Sequence, residues 1–199
     1  MQQRNNITFI ILLTTALIGC KDVAVPKPRG HFRIDMPERR YESFEGLAGK
    51  NDYLPFTFEY PSSGRLSFNE EFDNEKGWFN IEFPAYKAKL YMTYRDINHD
   101  FDELMEQSYK MNVKNHISKA DAISEKYFTD DKNKVYGILY DLKGNTATAV
   151  QFYMTDSTRH FLRGSLYFSS APDADSLEPV VSYFREDIVH LIETLRWKQ

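Results

Sequence analysis

The side chains that could carry chemistry are few and scattered. Five histidines, His31, His99, His116, His160 and His190, lie far apart, and no pair has the spacing that puts two imidazoles on one metal ion. His99-Asp100 comes nearest to a site, but it stands just before an apolar-periodic stretch and reads more simply as the start of a helix. Ser165, His160 and Asp156 can be drawn as a nucleophilic triad, yet no strand-turn-helix elbow surrounds the serine. A glycine-rich phosphate loop and an H-E-x-x-H pair are both missing. The residues thus predict no catalysis, no metal and no cofactor. Tyr86, Tyr91, Tyr94, Tyr136, Tyr140 and Tyr153 could line a ligand groove, although filling strand faces is the commoner use of such tyrosines.

One residue stands where the chemistry is specific. Cys20 is the chain's only cysteine. Ahead of it runs an apolar stretch, Ile7 to Ile18, softened by Thr8, Thr14 and Thr15 and preceded by a lone positive charge, Arg4. That is the layout of a signal peptide, and the stretch is too short to span a bilayer. Leu17-Ile18-Gly19-Cys20 is similar to a bacterial lipobox, in which the thiol is diacylated and the chain is cut just before it. The small Gly19 lets the peptidase reach the bond, and the thiol supplies the nucleophile. The expected organisation is a signal peptide over 1–19, a mature N-terminus at an acylated Cys20, and lipid as the first partner. One acyl chain binds a membrane only marginally, with an association constant of about 10⁴ M⁻¹, whereas two or more hold firmly. No cysteine is then left for a disulfide in an oxidising envelope.

Charge narrows the partners. Losing the signal removes Arg4 and leaves 24 basic against 29 acidic residues. No basic stripe offers itself to nucleic acid. The 15 Phe and 13 Tyr suit a sheet-rich core, and the apolar content argues against a disordered body.

Residues 20–30 read as a tether. Pro26 and Pro28 favour extended geometry, and at roughly 3 Å per residue the segment reaches about 30 Å. Beyond it, Phe32 and Ile34 alternate with Arg33 and Asp35 as one short strand stopped at Pro37. The charged run behind it, with Arg39, Arg40 and Tyr41, reads as an ordered arm along the surface.

From Tyr53 onward strand follows strand. Expected are 53–60, 65–68, 78–83 and 87–94, then 123–128, 135–142, 146–154 and 161–168, with Lys143-Gly144-Asn145 as a tight hairpin. Between the two groups a helix is expected, capped by Asp100 with Glu103 and burying Phe101, Leu104, Met105, Ser108 and Met111 on one side. The chain ends in its strongest helix, where Leu177, Val180, Val181, Phe184, Ile188, Leu191, Ile192 and Leu195 repeat at threes and fours. Asp175 or Ser176 caps it, and Pro179 falls in a tolerant first turn. Strands, helix, strands, helix is an α+β order, and short turns imply antiparallel pairing. The layout resembles the Mog1/PsbP-like α/β/α sandwich, an antiparallel sheet flanked by two helices with the last packed on the sheet. Residues 31–199 are expected to form one such domain.

The block Pro26-Lys27-Pro28-Arg29-Gly30-His31-Phe32-Arg33-Ile34-Asp35-Met36-Pro37-Glu38 resembles the opening signature of the GldD family, gliding motility lipoproteins of Bacteroidetes. His31 stands where an aromatic is expected. The resemblance implies a non-catalytic assembly or stabilising component of gliding motility and type IX protein secretion. The implied partners are other motility lipoproteins and the ring of the secretion machine. It implies an anchored protein facing the periplasm, with the outer membrane favoured over the inner. Arg33, Arg39, Arg40, Phe32 and Tyr41 are the expected docking residues, because arginine and aromatics dominate interface energetics. The alternative function is a small-ligand or glycan/peptidoglycan-binding lipoprotein, which a deep pocket with convergent polar groups would favour.

Replacing Cys20 by Ser should leave a longer, unlipidated precursor. Mass spectrometry of the membrane fraction checks this, and an unmodified cysteine on an intact Met1 in the wild type would remove the anchor.

Overall fold

The computed structural model describes residues 35–45, 54–68, 77–169 and 174–198, with side chains from 177 onward in the last segment. They fall in one compact unit, Phe32–Gln199. The strands are β1 (Tyr41–Phe44), β2 (Phe56–Pro61), β3 (Arg65–Ser67), β4 (Trp78–Phe83) and β5 (Ala88–Asp96). Helix α1 (Phe101–Tyr109) continues into a π turn, Lys110–Lys114, and leads to β6 (Ala122–Asp130), β7 (Val135–Lys143), β8 (Thr148–Thr155) and β9 (His160–Phe168). Helix α2 (Ala174–Thr194) and a short β10 (Arg196–Trp197) close the fold.

Seven strands form one antiparallel sheet in the order β3-β4-β5-β9-β8-β7-β6. α1 carries the chain from β5 to the far edge at β6, and successive hairpins bring it back until β9 lies against β5 over nine residues, from Ala88↔Phe168 to Asp96↔His160. A smaller sheet, β1-β2-β10, stacks on the large one. α2 packs on the same face, so the α+β sandwich has α2 and the small sheet on one side and α1 on the other. The edges are blunted: β3 is three residues long, and β6 carries Glu125 and Lys126 toward solvent.

Strand alternation builds the α2 face. Phe79, Ile81 and Phe83 of β4, Leu90, Met92 and Tyr94 of β5, and Leu162 and Leu166 of β9 are all buried there. Phe44 enters from β1 and stacks on Phe58 at 4.7 Å, on Phe79 at 5.3 Å and on Phe56 at 5.6 Å. α2 contributes Val180, Phe184, Ile188, Leu191 and Ile192, and Phe184 meets Phe83 at 4.5 Å. Gly164 keeps the centre flat, because a Cβ there would stand 2.2 Å from the Phe152 ring.

Several local expectations are corrected. Asp100 makes no side-chain cap; its carboxylate accepts from the Asn98 amide at 2.7 Å instead. Glu103 accepts from Gln107 one turn on, so no capping box forms. Met111 does not join the buried side of α1, because the π turn shifts the register and leaves it exposed. Asp175 and Ser176 lie inside α2 rather than before it, and Pro179 sits in its second turn. The 143–145 hairpin is looser than expected. Gly144 takes φ 97°, and β8 begins only at Thr148, with a bulge before Val150. Two strands had no sequence signal as strands: β1 inside the arm and β10 after α2, both paired to β2. Of the short strand expected before Pro37, Phe32 to Ile34 lie outside the described residues, and Asp35 and Met36 belong to no strand.

Phe44→Ala removes the ring on which three other phenylalanines stack. The cost should be about 3–5 kcal/mol by denaturant unfolding. A loss below about 0.5 kcal/mol, the size of a surface change, would mean that β1 does not belong to the core.

Candidate functional site

Among the described residues the α1 face of the sheet is only partly covered. α1 and its π turn close over β7, β8 and one end of β9, where Leu104 and Val113 pack on Tyr140, Leu142, Tyr153 and Phe161. Beside this cluster, over β4, β5 and β9, a half-open groove of about 710 Å³ remains. That volume lies within the range of small-molecule sites, about 300–1,000 Å³. One wall is aromatic: Trp78, Tyr91 and Tyr167 are 42%, 46% and 37% exposed, and Tyr91 and Tyr167 meet edge to face at 5.4 Å. The opposite wall is the π turn and the residues just after it, with Met111, Asn115 and His116 lining the opening.

The floor is polar. Arg163, Ser165 and Gln151 share one face because β9 and β8 pair Gln151↔Ser165 and Tyr153↔Arg163. Ser165 donates to the Gln151 carbonyl oxygen at 3.3 Å, which leaves Gln151 Nε2 without a partner. Arg163 donates to Met111 Sδ at 2.8 Å and to Asn112 Oδ1 at 3.3 Å, and its Nε has no partner. Asn112 is held in turn by Ser108, both fully buried. Burial pushes the Arg163 guanidinium below its ordinary value, and burial also lowers the His116 imidazole. Along the same face Glu82 is tied to Lys89 and Ser67, each at 2.8 Å, and to Arg65 at 3.2 Å. Those bonds hold its carboxyl down at about 2.

The arm forms the second candidate. Arg39 reaches across to α2, with Nε on Asp187 Oδ1 at 3.1 Å, Nη2 on Glu186 at 2.6 Å, and its guanidinium 4.6 Å from the centre of the Tyr183 ring. Tyr41 donates to the same Asp187 oxygen at 2.9 Å and stacks on His190 at 3.8 Å. Asp187 is 2% exposed, and burial pushes its carboxyl up despite those donors. The Tyr41 hydroxyl is pushed up to about 12, by burial first and by the Asp187 bond second. Arg39 and Tyr41 are therefore engaged inside the chain, whereas Arg40 is exposed and among the described residues pairs only with Glu38, two residues away. Gly19, Cys20, Phe32 and Arg33 lie outside the described residues.

The other sequence candidates separate. Ser165 faces the groove, while His160 sits on the opposite face, bonded to the Tyr94 hydroxyl and stacked on Trp197. Asp156 is occupied capping the amides of Thr158, Arg159 and His160, so no triad assembles. Of the six tyrosines, Tyr94, Tyr140 and Tyr153 are buried fillers and Tyr91 lines the groove. Sequence reasoning missed Trp78, Gln151, Arg163 and Tyr167. The available signal was Arg163 inside an otherwise apolar strand. Among the described residues no group of three potential metal ligands is found, and no helix is long and apolar enough to cross a membrane.

A family model described as gliding motility lipoprotein GldD matches residues 21–197. No curated protein sequence matches the chain. Among solved structures, cyanobacterial PsbP (CyanoP) from Synechocystis sp. PCC 6803 is similar over 86% of this chain and 99% of that one, at 11% identity and a TM-score of 0.46. The chain belongs to the GldD family and is a gliding motility-associated lipoprotein of the cell envelope.

Arg39→Ala should cost about 1.5–3 kcal/mol, the range for a hydrogen bond to a charged group, because it strands the buried Asp187. Arg40→Ala should stay within about 0.5 kcal/mol. In Arg39→Ala the folded-state carboxyl of Asp187 rises further above its unfolded value. The deficit should then be full at neutral pH and shrink as pH falls toward about 3.9, where the unfolded group also protonates. Denaturant unfolding across pH checks both; equal losses for the two variants would deny Arg39 its internal role.

Proposed function

We propose that this family member is a non-catalytic assembly or stabilising component of the gliding motility and type IX secretion machinery. It is held by an acylated Cys20 after cleavage at Gly19, with residues 20–30 as its tether and 31–199 as one domain. Its partners are other motility lipoproteins and the secretion ring, and it stands on the periplasmic side, with the outer membrane favoured over the inner.

The observation that carries this reading is the arm. Arg39 and Tyr41 lock it to α2, so Arg40 and Glu38 are presented by a chain already ordered, just beyond the tether. Pre-ordering reduces the entropy cost of docking. Phe32 and Arg33 are assigned to the same docking segment from the sequence, and Arg39 and Tyr41 serve it by holding its shape.

A second reading has its own support. The groove on the α1 face combines an aromatic wall with convergent polar groups, which favours a small-ligand or glycan-binding lipoprotein. The two readings are compatible in one molecule.

Charge reversal at Arg33 and Arg40 together should abolish gliding and the co-purification of envelope partners, while the melting temperature stays within a few degrees of wild type. Full gliding and secretion in the double variant would remove the arm from the function.

A further inference from the structure

The groove contains a physical mismatch. Arg163 is a half-buried guanidinium with no carboxylate partner among the described residues; its acceptors are a thioether sulfur and one amide oxygen. A desolvated charge is ordinarily paired, because leaving water costs several kcal/mol that only an opposite charge and good hydrogen bonds recover. The neighbouring Gln151 also has an unmet group, and both unmet atoms, Arg163 Nε and Gln151 Nε2, are donors. The floor therefore lacks acceptors. Arg95 adds a second cation at the rim, and no Asp or Glu among the described residues lines the groove. Glu82, on the same face of β4, is already engaged by Lys89, Ser67 and Arg65. This happens in a chain whose net charge is −4.

The walls say what carries the anion. Trp78, Tyr91 and Tyr167 come from three adjacent strands and present aromatic surface beside the cationic floor. The π face of an aromatic ring is negative, so it attracts the weakly positive C–H groups of a sugar ring. The exposed amides of Gln107 and Asn115 and the half-buried hydroxyl of Thr93 suit hydroxyl-rich ligands. A π turn forms the facing wall, and such turns recur at functional sites.

We infer that the groove binds an anionic saccharide, its carboxylate or phosphate taken by Arg163 and Arg95 and its ring lying on Trp78, Tyr91 and Tyr167. Binding displaces Met111 Sδ from the guanidinium and supplies the acceptors that the floor lacks. This rests on the second reading above and names its ligand class.

Calorimetric titration of the full lipoprotein in detergent micelles tests it, with trigalacturonate, galactose 1-phosphate, neutral galactotriose and inorganic phosphate as probes. Trigalacturonate or galactose 1-phosphate should bind about tenfold or more tightly than galactotriose, as expected for a bond to a charged group, and whichever is tighter identifies the anion. Arg163→Gln should erase that preference. Should that variant unfold, Arg95→Gln, which is exposed, should at least halve the preference. Tyr91→Ala, also exposed, should weaken every sugar. Equal binding of neutral and acidic sugars would overturn the anionic assignment and leave the second reading standing. Inorganic phosphate binding as tightly as any sugar would overturn the saccharide. No binding by any probe, or binding untouched by both Tyr91→Ala and the arginine variants, would overturn the inference and that reading together.

Discussion

Every strand of the large sheet buries one face only because something covers it, and the chain covers the two faces unequally. The α2 face receives a long helix, a second sheet and a stack of phenylalanines centred on Phe44. Burying apolar side chains of that size is worth roughly 1.5–3 kcal/mol each, and this face holds most of them. The α1 face receives one short helix and a π turn. What they leave uncovered over β4, β5 and β9 among the described residues is the groove. Stability and binding thus occupy opposite sides of the same strands, and the sheet can present a polar floor without weakening its main core.

α2 also holds the arm. Its apolar stripe seals the sheet, and Asp187 on the same helix accepts Arg39 and Tyr41 from the arm. Arg185 reinforces the far side, with Nε at 2.7 and 2.8 Å from the two oxygens of Asp141 on β7. A buried carboxylate is costly alone, and here its cost couples arm to helix.

Local pattern made much of this fold legible. The alternation of Ala88, Leu90, Met92 and Tyr94 announces a strand, and the threes and fours from Leu177 to Leu195 announce the closing helix, because both periods come from backbone geometry alone. Helix ends were less legible. Asp100 looked like a cap yet bonds backward to Asn98, since a short polar side chain has several nearby amides to choose from. β1 and β10 were invisible because their partner, β2, lies elsewhere in the chain.

The sequence by itself determined strand, helix and α+β order, and the expectation of a lipid anchor at Cys20 rests on it alone, because a peptidase reads a short linear segment. Only the tertiary structure decided that Arg39 turns inward while Arg40 stays free of α2, since a carboxylate 148 residues away in sequence captures the first. It also decided that Arg163 lies on the open face beside Tyr91. That neighbourhood exists because β9 pairs with β5, strands separated by a helix and three other strands. A side chain's face follows from a period of two along its own strand; what meets it there follows from which strand lies alongside.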